Sequence, residues 1–550
     1  MNNLKFPMSF DQLRQQIDEN DKQIIALLAH RQELAAEVAH LKKISGKKIF
    51  DPKREKEVLD QAQKNAQKKG VDPKLVRKIF TELMKASREQ QKKAFSIIDK
   101  IAPKNLRFQK KKLKIIHHGG FEIFRSIYHK FDDVFFLESL GEDPHFARYS
   151  FIGFAPRTKI VAKGSDLTVG GKHFPTNNPY FTLEKFLPRI ENNLGFCGGL
   201  VGYLTYEATK YFEDALDFPS HPDFPDFEFG LFLDGLVFNK ITGETEYFWY
   251  DQDRSELITK ILQEKILSLG KFSARFTGCN ISQAEFEKKV KSAREEIIAG
   301  NIFQVQIGRK YNFELQGDYL KFYEVLRKVN PSPQMFYLKF GERELIGSSP
   351  ELIVRVENGI VENFPLAGTR KRGATPKEDQ QIAKGLLANE KERAEHMMLV
   401  DLGRNDVGRV CQFGSVQPRK LMEIKRFPYV QHIGSEIIGK LRPEMTAFNA
   451  LATNTPVGTV SGAPKIEAMK IIQRLENSPR GPYAGAMGYF SLNGNCNFAA
   501  GLRSLFTYKG KAYVQASAGI VDDSVPEHEF KEVEKKASGV IKALEEATAS

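Results

Sequence analysis

Apolar residues recur at helical spacing through the first part of the chain. Between residues 9 and 41 no Gly or Pro interrupts them, so the spacing predicts one long amphipathic helix. Its apolar positions are Phe10, Leu13, Ile17, Ile24, Leu27, Leu28, Leu34, Ala35, Val38 and Leu41. Asp51 followed by Pro52 is typical of the start of a second helix, and a third is predicted from Pro73 to about Phe95. Three helices leave one flank of the first uncovered, so we expect a dimer that shares it.

The pattern changes after a connector. Residues 96–114 carry Pro103 and basic runs, which predict a linker. Short apolar runs broken by Gly, Asp and Pro follow, among them DVFFLESL, GGLVGYLTYE, GLFLDGLVFN and EYFWY. This pattern predicts antiparallel strands of a large sheet.

Helices and strands are mixed in the second half of the chain. SQAEFEKKVKSAREEIIAG predicts a helix that ends at Gly300, and residues 386–402 predict one continuous charged helix because they lack Gly and Pro. AMGYFSL, NFAAGLRSLFTY and KAYVQASAGIV predict a three-stranded meander. On its middle strand Arg503 would share a face with Ala499 and Gly501, which are too small to cover its guanidinium.

Glutamate pairs recur on two predicted helices. Glu392 and Glu395 stand three residues apart, as do Glu529 and Glu532, so each pair shares a helix face. Hard oxygen ligands of this kind suit Mg²⁺, and two converging pairs would repel each other without a cation. The same spacing also fits solvated helix faces with Glu–Lys pairs.

Composition narrows the function classes. The 550 residues predict several domains, and neither a membrane span nor a signal peptide is visible, so we expect a cytoplasmic protein. The four cysteines have no metal-ligand spacing. The net charge of +13 lies mostly in lysine runs without a nucleic-acid-reading motif, so a small anionic substrate is favoured over nucleic acid.

Three strings in family order carry a resemblance. PLAGTRKRG, AEHMMLVDLGRND and GTVSGAPK resemble the chorismate-binding enzymes, specifically the large subunit of anthranilate synthase. The resemblance implies an α+β fold with large antiparallel sheets. It also implies Mg²⁺ as cofactor, bound directly by Glu395 and Glu532 and through water by Glu392 and Glu529.

The resemblance also implies roles for the other candidate residues. Glu351 and His432 would act at the departing ring hydroxyl of chorismate. The remaining substrate contacts would be Gln304, Gly368, Thr369, Tyr483, Arg503, Ser517, Ala518, Gly519 and Lys536. Gln304 stands where water-adding relatives have a lysine base, and an amide cannot activate water, so ammonia is the expected nucleophile. Ser517 replaces a glycine usual in its loop, which would introduce strain if the backbone there needs positive φ.

A regulatory site is implied as well. Glu138, Ser139, Pro333, Gln334 and Met335 stand where the family binds feedback tryptophan. Gln334 departs from the aromatic residue usual at its position, which leaves inhibition by tryptophan open.

The helical segment at residues 1–95 resembles the all-helical chorismate mutases. The residues that match the family's substrate contacts are Arg14, Arg31, Lys42, Asp51, Arg54, Glu55, Ser87 and Gln91. Lys42 and Gln91 would stabilise charge at the ether oxygen of chorismate, and Arg14 would come from the other protomer. Asp51 and Glu55 favour a mutase over the isochorismate pyruvate lyases, although helix capping and salt bridges explain them equally well.

These resemblances predict a bifunctional, multidomain enzyme. An all-α mutase domain at 1–95 would precede a linker at 96–114, an N-terminal synthase region at 115–272 and a catalytic domain at 273–550. The products would be prephenate and anthranilate with pyruvate, and a separate glutamine amidotransferase would supply the ammonia. The alternatives are a 2-amino-2-deoxyisochorismate synthase, and a helical segment that dimerises or senses prephenate without turnover.

Overall fold

The computed structural model describes residues 9–44, 48–101, 106–115, 119–140, 148–266, 268–426 and 430–550. The chain divides into two compact units. The first comprises Met1–Lys104, Ser165–Thr168 and Lys172–Phe186, and the second comprises Asn105–Gly164, Val169–Gly171 and Leu187–Ser550.

The helices of both units begin and end as follows. The α-helices are α1 Phe10–Ile44, α2 Pro52–Lys68, α3 Pro73–Ile101, α4 Gly120–Tyr128, α5 Pro179–Thr182, α6 Ser255–Gln263, α7 Gln283–Ile298, α8 Tyr319–Val329, α9 Pro376–Ala388, α10 Glu390–Gly408, α11 Ala447–Asn454, α12 Lys465–Glu476 and α13 Pro526–Ala549. Short 3₁₀ turns span Leu183–Phe186, Tyr206–Tyr211 and Gly458–Val460.

The three predicted N-terminal helices form in the first unit. The Asp51 side chain caps α2 by accepting from the backbone N–H of Arg54 at 3.1 Å, as the sequence predicts. Helix α3 extends to Ile101, beyond the predicted end near Phe95. The first half of α1 is exposed along its apolar stripe: Leu13, Ile17, Ile24 and Leu27 retain 44%, 58%, 53% and 68% of their accessible surface. Within one chain this stripe therefore stays uncovered.

The second unit is built on two antiparallel sheets, and the short strands β5 and β6 lie mainly in segments of the first unit. The strands are β1 Gln109–Lys112, β2 Asp133–Glu138, β3 Tyr149–Phe154, β4 Thr158–Lys163, β5 Asp166–Val169, β6 Lys172–His173, β7 Gly199–Leu204, β8 Phe227–Phe232, β9 Asp234–Asn239, β10 Glu244–Trp249, β11 Phe272–Cys279, β12 Gln304–Gly317, β13 Gln334–Phe340, β14 Arg343–Ser349, β15 Leu352–Glu357, β16 Ile360–Asn363, β17 Leu366–Lys371, β18 Gln417–Arg426, β19 Val430–Lys440, β20 Gly462–Ala463, β21 Ala486–Ser491, β22 Cys496–Ala500, β23 Ser504–Tyr508 and β24 Lys511–Ile520.

Strand order defines the two sheets. The first sheet runs β1-β10-β9-β3-β2-β13-β14-β23-β24-β12-β11, with β20 paired to β12. The second runs β17-β19-β16-β15-β22-β21-β7-β8-β4, with β18 paired to β19. Neighbouring strands pair antiparallel in both. Large apolar side chains from the strands, including Phe135, Phe136 and Phe154, are completely buried and form the core.

The predicted three-stranded meander is wrong. Strand β22 pairs with β21 in the second sheet, whereas β23 pairs with β14 and β24 in the first. The chain therefore changes sheets between Ala500 and Ser504, and Arg503 lies in this crossing with φ of 48° rather than on a strand. Gly501 allows the crossing, because a Cβ there would stand 2.2 Å from the carbonyl oxygen of Pro482.

The predicted continuous helix over 386–402 is also wrong. Asn389 separates α9 from α10 and caps α10, its side chain accepting from the backbone N–H of Glu392 at 3.0 Å. Asparagine is a preferred N-cap residue. Because residues 386–402 contain no Gly or Pro, the sequence pattern did not indicate a break in the helix. The sequence also predicts a turn at Gly368-Thr369, but Gly368 instead forms a bulge inside β17, with φ of 63°.

Three further features of the described residues bear on the sequence expectations. Helix α7 ends before Gly300, as predicted, and it begins with a capping box at Ser282. None of the helices in the described ranges is both long and apolar enough to cross a membrane. All four cysteines are free, three of them buried.

Candidate active site

The candidate site of the second unit lies where the chain passes twice between the sheets. Strand β14 belongs to the first sheet and β15 to the second, so Glu351 stands in one crossing and Arg503 in the other. The crossings are hydrogen-bonded to each other: the N–H of Ser348 donates to the carbonyl of Arg503 at 3.3 Å, and that of Ala500 to the carbonyl of Glu351 at 3.0 Å. This pairing places an acid and a guanidinium side by side.

Glu351 is suited to carry a proton near neutral pH. It is only 7% exposed, and burial raises its pKa to about 7. The Thr459 hydroxyl opposes this rise, since Oγ1 lies 2.7 and 2.8 Å from the two carboxylate oxygens. Lys536 and Arg503 also lower the pKa, through their positive charge. A carboxyl group in this balance can act as a general acid.

His432 lies on β19 opposite the Gly368 bulge. Its Nδ1 stands 3.0 Å from the Gly368 carbonyl oxygen and 3.0 Å from the Thr369 hydroxyl oxygen. Burial, assisted by the positive charge of Arg503, lowers its pKa to about 4. The ring is therefore neutral at pH 7, with Nδ1–H donating to the carbonyl and Nε2 left as the acceptor nitrogen.

A series of hydrogen-bonded side chains forms another wall of the site. The Tyr483 hydroxyl lies 2.8 Å from the Ser517 hydroxyl, which lies 2.9 Å from Oε1 of Gln306. Ser517 pairs with Gly308 in regular β24 and is not among the residues with positive φ, so serine introduces no backbone strain there. Lys536 donates to the Ser517 carbonyl at 2.9 Å.

The side-chain amide of Gln304, a predicted substrate contact, lies close to the end of this wall. Ala518 and Gly519 continue β24 opposite Ile307 and Gln306. A Cβ on Gly519 would stand 2.6 Å from Nε2 of Gln304, so glycine permits the close approach of that amide. The structure thus brings the sequence-predicted substrate residues of the second unit into one region.

The glutamate pairs of α10 and α13 are electrostatically coupled. Burial raises the pKa of Glu395, and the negative charges of Glu392, Asp523 and Glu532 raise it further. Burial also raises the pKa of Glu529, with further contributions from Glu532 and Asp523. Carboxylates from both helices therefore share one region of negative potential, a donor set that fits a hard divalent cation.

Cations of the protein itself contact two of these carboxylates. Arg370 pairs with Glu392 at 2.8 Å, and Lys536 pairs with Glu532 at 2.7 Å. Across the described ranges, no three His, Cys, Asp or Glu side chains stand at metal-ligating positions. The carboxylates of the two helices raise one another's pKa values, but in the described residues their side chains are not positioned as a metal coordination shell.

The residues predicted for tryptophan binding line a separate cavity of about 490 Å³. Glu138, Ser139, Pro333, Gln334 and Met335 all border it. Arg327 and Tyr323 fix the Glu138 carboxylate: Arg327 donates to it at 2.6 and 3.2 Å, and the Tyr323 hydroxyl donates to it at 2.9 Å.

In the first unit, the predicted cations Arg31 and Lys42 lie on α1 and contact residues of α3. Arg31 donates to the hydroxyl of Ser87 and to the Leu83 carbonyl at 3.2 Å, and burial lowers its pKa. Lys42 donates to the Ile49 carbonyl at 2.6 Å and lies 3.5 Å from Oε1 of Gln91.

The remaining predicted residues of this unit lie apart or in other roles. Glu55 pairs with Arg88 at 2.6 Å, Asp51 caps α2, and Arg54 pairs with Glu57 at 3.3 Å on an exposed face. Arg14 is exposed on α1, 17 residues before Arg31 or about 25 Å along the helix axis, so one chain does not bring these two cations together.

Sequence reasoning missed three residues of the second unit. Thr459 holds Glu351, Gln306 completes the Ser517 chain, and Asp523 adds to the acidic region. Thr459 lies inside the GTVSGAPK string, so its motif was visible, whereas its contact with a carboxylate 108 residues away was not.

Comparisons with known proteins agree with the location of the motifs. Residues 133–542 match the family described as chorismate binding enzyme, and residues 13–92 match chorismate mutase type II. The chain is 48% identical over 438 residues to anthranilate synthase component 1 of Methanothermobacter thermautotrophicus, covering 79% of this chain and 94% of that protein.

Two solved structures resemble the chain. Anthranilate synthase component I from Streptococcus pneumoniae superposes with a TM-score of 0.64 at 35% identity, covering 72% of this chain and 92% of that one. The menaquinone-specific isochorismate synthase from Escherichia coli has a TM-score of 0.63 at 19% identity, over 82% of this chain and 98% of that one, and shares the fold.

Proposed function

Because the chain belongs to the chorismate-binding enzymes, within the anthranilate synthase component 1 family, and carries a chorismate mutase type II segment, we propose that it catalyses two reactions of chorismate. The second unit converts chorismate and ammonia to anthranilate and pyruvate, for tryptophan biosynthesis. The helical segment converts chorismate to prephenate.

The observation that carries the synthase proposal is the acid beside the guanidinium at the paired sheet crossings. Arg503 is half-buried, which lowers its pKa, and it can hold a substrate carboxylate, with Tyr483 and the β24 backbone at Ser517–Gly519 beside it. Glu351, with a pKa of about 7, donates a proton to the ring hydroxyl as its C–O bond breaks, and water leaves. Neutral His432 offers Nε2 as a hydrogen-bond acceptor near this hydroxyl.

Ammonia is the nucleophile in this proposal. Gln304 has an amide where a base would be needed to activate water, so ammonia adds to the ring carbon beside the carboxylate. Loss of the ring hydroxyl gives an amino intermediate, and elimination of pyruvate makes the ring aromatic. A separate glutamine amidotransferase subunit supplies the ammonia.

The coupled carboxylates fit a magnesium ion. Glu395 and Glu532 would bind Mg²⁺ directly and Glu392 and Glu529 through water, and the bound ion supplies positive charge for the ring carboxylate of the substrate. For this, Arg370 and Lys536 must release Glu392 and Glu532.

The mutase reaction requires a dimer in this proposal. Arg31 and Lys42 hold the carboxylate and the ether oxygen of a compact chorismate conformer, with Gln91 beside Lys42. The exposed stripe on the first half of α1 supports pairing with a second chain, which would carry its Arg14 to this site.

The cavity at Glu138 is the proposed feedback site for tryptophan. Its volume is sufficient for an amino acid, and Glu138 is fixed by Arg327 at its wall. The amide of Gln334 in place of an aromatic residue weakens stacking on an indole, so we expect weak binding.

The deciding experiment incubates the full chain with chorismate and an ammonium salt, with Mg²⁺ or with EDTA. We expect fluorescent anthranilate and pyruvate only with Mg²⁺, and prephenate in both conditions. Glu351→Gln should abolish anthranilate and leave prephenate formation intact, with the exposed Glu342→Gln as the matched control. An amino product without pyruvate would instead establish 2-amino-2-deoxyisochorismate synthesis, and absence of prephenate would leave the helical segment a dimerising or sensing module.

A further inference from the structure

A small chamber adjoins Glu351, and none of the residues of the Ser517 wall borders it. It measures about 20 Å³ and is bordered by Glu351, Thr459, Asn363 and Asp406, with Leu399 and Leu402 of α10 as apolar walls. A cavity of this size holds one water molecule if polar partners are present.

The chamber supplies those partners. Asp406 is only 5% exposed, and its Oδ2 accepts from Lys465 at 2.6 Å. Asn363 uses its Nδ2 to donate to Ile353 and Asn454, each at 3.0 Å, so its Oδ1 is free to act as an acceptor. The side chains of Glu351, Asp406 and Asn363 therefore border a space large enough for one water molecule.

Glu351 needs a proton source within the protein. In the proposed reaction it becomes a carboxylate in every turnover, while it is buried from solvent. Its other charged neighbours, Arg503 and Lys536, lie on the substrate side, where the bound carboxylates engage them. Asp406 and Asn363 border the chamber beside Glu351 and are not among the proposed substrate contacts.

We propose that the chamber holds a single water that connects Glu351 to the Asp406–Lys465 pair and returns the proton to Glu351 after the ring hydroxyl has left. This inference rests on the proposed synthase function and adds Asp406 as a positioning residue that acts through the water.

The step balances without an additional reactant. Glu351 gives its proton to the departing hydroxyl, whose C–O electron pair goes to oxygen, and water forms. The chamber water then gives a proton to the Glu351 carboxylate and takes one from solvent along the Asp406–Lys465 pair, where Lys465 retains 11% of its side-chain exposure. The proton that the added ammonia releases to solvent closes the cycle.

Asp406→Asn removes the second carboxyl group without changing its size. We expect kcat for anthranilate formation from ammonium to fall at least about tenfold, with KM for chorismate unchanged and a larger solvent deuterium isotope effect. Asp401→Asn on the same helix is the matched control, because Asp401 is exposed and pairs with Arg404 at 3.1 Å outside the chamber. A kcat within twofold of wild type would overturn the proposal.

A second variant covers the case in which Asp406→Asn unfolds the protein. Val457→Ile adds one methylene beside the chamber and leaves both carboxyl groups in place. We expect the same fall in kcat with a melting temperature close to wild type, and an unchanged kcat would contradict the water link.

The water itself can be observed independently of turnover. In a crystal structure of the full chain without ligands we expect one ordered water within hydrogen-bond distance of Glu351 and Asp406, and a dry chamber would refute the inference. Absence of anthranilate from the wild-type protein would instead refute the synthase function, so the two failures are distinguishable.

Discussion

Replacing Thr459 with valine tests how the protein sets the acidity of Glu351. The threonine hydroxyl donates to the carboxylate from 2.7 and 2.8 Å, and so stabilises its charged form. Valine has the same shape but no donor, so the charged form loses this stabilisation and the pKa of Glu351 rises above its value of about 7.

The size of the shift follows from the hydrogen bond. A hydrogen bond to a charged group contributes about 1.5–3 kcal/mol, which corresponds to roughly 1 to 2 pKa units. Lys536 and Arg503 remain in place and keep part of the stabilisation, so we expect a rise of about one unit.

The assay is the pH dependence of kcat for anthranilate formation, measured at saturating ammonia at every pH. Glu351 acts in its protonated form, so the rate falls as pH rises through its pKa. In Thr459→Val this falling limb should move to higher pH by about one unit, with the rate at low pH retained. Thr245→Val, at a buried threonine whose hydroxyl has no hydrogen-bond partner, should leave the limb unchanged. A limb that stays in place, or moves to lower pH, would refute the assignment of Glu351 as the acid held by Thr459.

Three further predictions concern other parts of the chain. Arg31→Ala should lower prephenate formation about 100-fold and leave anthranilate formation unchanged in the same assay, since Arg31 lies in the helical unit. Ile17→Asp, on the exposed stripe of α1, should shift the molar mass in light scattering from dimer to monomer, and an unchanged mass would contradict pairing through α1. Glu476→Gln should lower the free energy of unfolding in urea by about 3 kcal/mol, because Arg480 would stay buried and charged. Glu467→Gln on the same helix, where the side chain keeps 46% of its accessible surface, should change the free energy of unfolding by less than about 0.5 kcal/mol.

Local patterns determined much of the secondary structure from the sequence alone. Helical spacing predicted α1 to α3, Asp51 caps α2 and α7 ends before Gly300 as expected, and the alternating runs became strands. Each of these features depends on residues within a few positions of one another, so the sequence carries the whole physical cause. The three motif strings indicated the family for the same reason, since each is contiguous.

Only the tertiary structure decided where the site residues meet. The sheet change at Gly501–Arg503 arises because β22 pairs with β15 and β21 whereas β23 pairs with β14 and β24, and nothing within NFAAGLRSLFTY distinguishes this from one continuous strand. Thr459 reaches Glu351, and Asp406 borders the same chamber, only because the two sheets and α10 bring distant segments together. Long-range pairing sets the burial that raises the pKa of Glu351, and burial is a property of the folded chain rather than of any local string.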